Sequence, residues 1–220
     1  MILVPVKDFE NAKQRLAGIL SADQRRALAA AMFSDVLRAL AAVPGSPTVA
    51  VVTRDQRAKQ LAAAFGFEVI VDNQNAGETE AIASATKVAV ERGAQWTLVM
   101  PADAPLVTAD EVARLLQAAP REGTVLASAA DGEGTNAVLR RPAALFPLRF
   151  GNHSFRPHLR AAQATGKPVV VVKLPGVALD IDRPADLMAL AEAAGATRAQ
   201  QLVRQWQALE RPIGVAVALK

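Results

Sequence analysis

Apolar residues run along this chain in two alternating rhythms. Short continuous apolar runs, bounded by turn residues, predict buried strands over 2–6, 48–53, 67–71, 96–100, 124–128, 136–140 and 169–173. Between them, apolar positions recur at helical spacing and predict helices over 22–42, 55–65, 78–92, 109–119, 154–165, 184–194 and 198–209. The boundaries carry matching signals. Ser21 is placed to cap the first helix, and Thr108 the fourth, with Glu111 at the capping-box position three residues on. Gly66 and Gly93 follow the second and third helices, where a left-handed residue ends a helix. Continuous apolar strands alternating with helices predict an α/β chain with a mostly parallel sheet covered on both faces. The strands flanking DGEGT lie too close together for a helical crossover, so one antiparallel strand is expected there.

No repeat or long linker divides the chain. The economical reading is one domain over 1–195 and a C-terminal extension over 196–220, a helix followed by the apolar segment IGVAVAL. That tail, after Pro212, offers an added strand or a homodimer contact.

At 220 residues the chain is long enough to bury a sizeable core, and 51% hydrophobic with 21% charged residues is the balance of a soluble globular protein. No apolar run reaches membrane-span length, and the start MILVPVKDFE lacks a secretory pattern, so no membrane partner is expected and the cytoplasm is the expected compartment. With no cysteine, disulfides and thiolate metal sites are excluded. The net charge of +4 suits an anionic partner. A basic nucleic-acid-binding module is the non-enzymatic alternative. Aromatic residues make up only 4% of the chain, with no basic-aromatic interleaving, which argues against nucleic acid.

In open α/β sheets, ligands sit at the carboxyl ends of the strands. After the first strand come Lys7, Lys13 and Arg15, in VPVKDFENAKQRL. After LVM comes Asp103, one carboxylate set between Pro101 and Pro105 in an otherwise apolar run. Gly132, Gly134 and Thr135 follow the fifth strand, and Asp180 and Asp182 follow the seventh. Basic residues beside carboxylates form a plausible site for a phosphorylated ligand held through Mg2+ or Mn2+, since such ions bind one or two carboxylates plus phosphates. Plainer readings stand beside this one. Asp103 is also an acceptable turn residue, Asp182 could cap the helix starting at Pro184, and the basic residues could be loop surface. Between Gly134 and Leu179 there is no Asp or Glu, while Arg140, Arg141, Arg149, Arg156, Arg160, Lys167 and Lys173 fall in that span. We expect an electropositive wall there, facing an acidic ligand.

Taken in order, VPVKDFENAKQRL, PADAPLVTADE, GEGTNAVL, FGNHSF and LDIDRPADL resemble the 2-phospho-L-lactate guanylyltransferases, which include phosphoenolpyruvate and 3-phosphoglycerate guanylyltransferases. These sit within the molybdenum-cofactor-guanylyltransferase-like nucleotidyltransferases. The resemblance implies a Rossmann-like mixed sheet of the nucleotide-diphospho-sugar transferase type. It implies attack by a phosphorylated acid on the α-phosphorus of GTP, release of pyrophosphate, a divalent metal, and a place in deazaflavin coenzyme F-420 synthesis. Carried over by position, it implies Asp103 and Asp182 as metal ligands, with Asp180 the alternative. It implies Lys7, Lys13, Arg15 and Gly77 at the nucleotide, with Lys13, Arg15 and Asp103 catalytic. Thr135, Gly151 and Ser154 would contact the acceptor, and neither His153 nor His158 is needed. Where the family carries GLNAA this chain has GETEAIA, and NHSF stands for PGSF. Another nucleotide, or a sugar-phosphate or molybdenum-cofactor-precursor acceptor, is the alternative within the same chemistry.

Overall fold

The computed structural model describes residues 1–72 and 77–210. Each expected apolar run becomes a strand: β1 (Ile2–Pro5), β2 (Val49–Val52), β3 (Glu68–Ile70), β4 (Thr97–Val99), β5 (Gly123–Ser128), β6 (Thr135–Arg141) and β7 (Val169–Val172). They join one sheet in the order β3-β2-β1-β4-β6-β5-β7. Among the described strands only β6 is antiparallel to its neighbours, pairing with β4 and β5 across the DGEGT turn. Ile2, Leu3 and Val4 are all fully buried, as a central strand covered on both faces requires.

The helices are α1 (Ala22–Ala41), α2 (Gln56–Ala64), α3 (Glu78–Glu91), α4 (Ala109–Gln117), α5 (Phe155–Ala164), α6 (Pro175–Ala178), α7 (Pro184–Glu192) and α8 (Arg198–Glu210). The period-two pleat sends Ile2 and Val4 against α1, α2 and α4, whose Phe33, Ala58 and Leu115 share that core. Leu3 faces the other way and packs with Ile82 of α3 and Ala162 of α5. A third layer lies outside α1. There Leu28 and Met32 pack against Leu187, Leu190, Ala199 and Val203 of α7 and α8. The Asp35 carboxylate on α1 accepts the Arg198 and Ala199 N–H groups at 3.0 and 2.9 Å, capping α8 from another helix. The apolar tail after Pro212 lies outside the described residues.

Both expected capping boxes form, Ser21 with Gln24 and Thr108 with Glu111. Glu111 has a second function. Its Oε1 accepts the Gly176 N–H at 2.8 Å, and a Cβ on Gly176 would lie 2.3 Å from the Leu106 carbonyl oxygen and Glu111 Oε2. This junction fixes α6, a four-residue helix too short to show a periodic pattern. Asp182 does not cap α7. Asp186 in its first turn accepts the N–H groups of Asp182 and Arg183 at 2.9 and 2.6 Å, leaving the Asp182 side chain free for other partners.

The chain winds outward from β1 to β2 and β3, then returns to place β4 on the other side of β1. A crevice opens at the carboxyl ends of β1 and β4, the position where a doubly wound sheet binds ligands.

Candidate active site

The loop after β1 is pinned at two apolar points. Phe9 is buried against Phe33, with ring centroids 6.1 Å apart, and its N–H donates to Asp55 Oδ2 at 3.1 Å. Leu16 is fully buried. Between these anchors Lys13 takes a left-handed backbone, φ 54°, which turns its side chain across the strand ends. Its Nζ donates to Asp103 Oδ2 at 2.5 Å and to Asp182 Oδ1 at 2.9 Å, and Arg15 Nη1 donates to Asp182 Oδ2 at 3.1 Å. The backbone joins the two acidic segments as well. The Ile181 N–H donates to the Asp103 carbonyl at 3.1 Å while the Ile181 side chain is buried. Asp180 Oδ1 accepts from Asn136 Nδ2 at 3.0 Å, and the same amide reaches the carbonyls of Val177 and Ala178.

The charges here adjust one another. Burial opposes the Lys13 ammonium, but Asp103 and Asp182 outweigh it and hold its pKa well above the ordinary lysine value. Burial also works against the Asp182 carboxylate, yet Lys13 foremost, then Arg15 and Lys7, keep it below the usual carboxylate range. Asp180 moves the opposite way. Burial raises it and the Asn136 hydrogen bond only partly compensates. Glu78, first residue of α3, is raised by burial and by the negative charge of Asp103.

Two clefts meet at this cluster. The first, about 570 Å³, is lined by Lys7, Lys13, Arg15, Gly77 and Asp103, with Val6, Phe9, Met32 and Ala81 supplying apolar wall. The second, about 640 Å³, is lined by Thr135, Gly151, Ser154, Asp180 and Asn136. Lys7, Arg15, Glu78, Asp103 and Asp182 line both, so the two spaces share one charged boundary. Each volume lies in the range of small-molecule sites, roughly 300–1,000 Å³. Every residue expected at the nucleotide therefore falls in the first cleft, and every residue expected at the acceptor in the second.

A profile of the guanylyl transferase CofC-like family matches residues 1–209. The chain belongs to that family. It is 39% identical over 210 residues to the phosphoenolpyruvate guanylyltransferase of Roseiflexus sp. (strain RS-1), covering 95% of this chain and 91% of the relative. It is 35% identical over 190 residues to the 3-phospho-D-glycerate guanylyltransferase of Colwellia psychrerythraea, covering 86% and 90%. Among solved structures, a Desulfovibrio desulfuricans G20 protein assigned to the nucleotide-diphospho-sugar transferases superposes with a TM-score of 0.77 at 20% identity, over 94% of this chain and 95% of the other. CMP:2-keto-3-deoxy-manno-octonic acid synthetase in complex with CTP superposes at 0.58 with 15% identity, over 94% and 98%. The fold is that of these nucleotidyltransferases. The family profile extends to residue 209 and so takes in α8.

Among the described residues, the basic span expected to form an electropositive wall, with its seven basic residues between Gly134 and Leu179, does not line either cleft. Arg140 is buried on β6, donating to the Phe146 carbonyl at 2.6 Å and to Thr86 and Thr97, and Lys167 pairs with Glu122 at 2.5 Å. On an alternating strand an arginine can face either side, and sequence position alone does not choose. The positive charge beside the second cleft comes instead from Lys7, Arg15 and Arg183. Three contributors were missed. Glu78 had one signal, two glutamates following Gly77 where the family carries GLNAA. Asp186 had none beyond the position of an acidic first-turn residue. His158 had its spacing, four residues after Ser154 on one helix face.

Proposed function

We propose that this chain transfers GMP from GTP to the phosphate of a small phosphorylated carboxylic acid and releases pyrophosphate. Phosphoenolpyruvate and 3-phosphoglycerate are the first acceptors to consider, after the relatives' activities, and 2-phospho-L-lactate is the third, with the product entering deazaflavin coenzyme F-420 synthesis. The observation that carries this reading is the meeting of two clefts at the Lys13–Asp103–Asp182 cluster.

In this reading the first cleft takes GTP, with the base against the apolar wall and the triphosphate towards Lys7, Lys13 and Arg15. Gly77, at φ 125° before the 14-residue helix α3, lines that cleft where the helix begins. The second cleft takes the acceptor. One of its phosphate oxygens attacks the α-phosphorus as the bond from that phosphorus to the β-phosphate bridging oxygen breaks. A phosphate monoester is already largely dianionic at neutral pH, its second pKa being about 6, so no general base is needed. Placement and charge neutralisation supply the catalysis.

The donor set also fits a divalent cation. Asp103 and Asp182 offer hard oxygen ligands, and Lys13 already holds the two carboxylates close together. Mg2+ is commonly held by one or two carboxylates and completed by substrate phosphate oxygens. Asp103 and Asp182 would hold the ion, with Asp180 beside them. Such an ion would neutralise charge on the triphosphate and the departing pyrophosphate. Lys13 shields the two carboxylates from each other, and Arg15 orients Asp182.

The reading is tested by incubating the purified protein with GTP, Mg2+ and each of the three acids while following pyrophosphate release. ATP, CTP and UTP run in parallel. Release with GTP and one of the acids is expected. Release with none of them, or only with a sugar phosphate or another nucleotide, overturns it.

A further inference from the structure

Behind the second cleft lies a buried histidine to which the transfer chemistry gives no part. His158, on α5, is 1% exposed, and its ring meets Phe150 edge-on at 5.2 Å. Both ring nitrogens are engaged. The Arg149 main-chain N–H donates to Nε2 at 2.9 Å, and Nδ1 lies 2.9 Å from Thr135 Oγ1. A main-chain N–H can only donate, so Nε2 must be the unprotonated nitrogen and Nδ1 carries the hydrogen. Burial first, then the charge of Arg140, lowers the pKa of this imidazole to about 4, in keeping with a neutral ring at pH 7.

This tautomer has a consequence for the cleft. His158 Nδ1–H donates into Thr135 Oγ1, and the Thr135 backbone N–H donates into Ser154 Oγ at 3.1 Å. The two hydroxyl oxygens are 3.2 Å apart. Two hydroxyl hydrogens then remain. One joins the pair, and the other has no internal acceptor in this network. Thr135 and Ser154 both line the second cleft, so that hydrogen is directed there. With the proton on Nε2 instead, two donors would face each other at Arg149, and the Thr135 hydroxyl would turn inward to Nδ1.

We propose that His158 is a positioning residue for the acceptor: it sets the direction of the Thr135–Ser154 hydroxyl pair so that the pair donates a hydrogen bond to an anionic oxygen of the bound acid. This rests on the reading of the second cleft as the acceptor site. His158 touches no substrate and acts through Thr135.

Two substitutions separate this role from packing. The Asn amide in His158→Asn reaches the place of Nδ1 and can donate to Thr135. The Gln amide in His158→Gln reaches the place of Nε2 and can accept from Arg149, but offers Thr135 no donor. With phosphoenolpyruvate as the acceptor probe, or whichever acid the pyrophosphate screen selects, His158→Gln should raise the acceptor KM roughly tenfold, the effect of one hydrogen bond to a charged group. The GTP KM should stay in place, and His158→Asn should restore the acceptor KM. In a Thr135→Val background His158→Gln should add nothing further. Equal effects of Asn and Gln, or equal shifts of both KM values, would overturn the proposal. Nitrogen-15 NMR of the unsubstituted protein gives a check independent of variant folding: an Nδ1-protonated His158 is expected, and an Nε2-protonated ring overturns it. If Thr135→Val and Ser154→Ala leave the acceptor KM unmoved, the assignment of the cleft fails. If they raise it and His158→Gln does not, the positioning role alone fails.

Discussion

Asp103 and Asp182 share one ammonium group, and that sharing sets what each substitution should do. Asp103→Asn keeps the shape but removes a charge from the junction of the two clefts. Turnover should fall at least about a hundredfold, well within the several kcal/mol that a bound metal contributes to a charged transition state. Near-normal kcat at saturating Mg2+ would remove Asp103 from the chemistry. Asp182→Asn should be similarly harsh, because Asp182 accepts from both Lys13 and Arg15. Asp180→Asn should be milder, because Asp180 faces Asn136 rather than Lys13 or Arg15, and burial already works against its charged form. A kcat ranking with Asp180→Asn the worst would reverse this order. Lys13→Ala should weaken GTP more than the acceptor, read as the two apparent KM values, since Lys13 lines only the first cleft.

Helix α8 is held by a contact of a different kind. Its first N–H groups end in the carboxylate of Asp35, more than 160 residues earlier in the chain. Asp35→Ala should cost about 1–2 kcal/mol, the usual loss for a missing N-cap, seen as a lower melting temperature with unchanged kcat and KM. An unchanged melting temperature would show that packing on α1 and the Thr197–Gln200 cap hold α8 without Asp35. The helices and strands themselves were largely legible because each obeys its own period and boundary residues. The antiparallel β6 was legible from the shortness of DGEGT. Helix α6 was not, because four residues make a single turn, and its place depends on Gly176 meeting Glu111.

For the molecule as a whole, the buried imidazole makes stability depend on pH. The folded chain holds His158 near pKa 4, whereas an unfolded chain titrates it near the ordinary 6.5. Between those values the unfolded state binds the extra proton, so this contribution to stability is present above about pH 6.5 and is lost as pH falls towards 4. Its ceiling is about 3 kcal/mol at 1.36 kcal/mol per pKa unit. Asp35, Glu78 and Asp180, all raised, act in the opposite sense, since their folded forms take up protons first as pH falls. Comparison with His158→Asn isolates the histidine. Denaturant unfolding from pH 7 to 4 should show the unsubstituted protein losing more stability than the variant, and parallel curves would refute this.

Local physics accounts for what the sequence determined alone: strands and helices, their caps, one antiparallel return, and the set of charged residues at strand ends. Hydrophobic period and capping chemistry act within a few residues, so they are written in adjacent letters. The order of the strands, which puts β1 beside β4, was decided only by the tertiary structure, as was the convergence of Lys13, Asp103 and Asp182. The same holds for Arg140, which lies in the core rather than along the cleft, and for the proton on His158. Each depends on contacts between distant segments. A side chain's charge is set by its type, but its direction and protonation are set by the groups that surround it once the chain is packed.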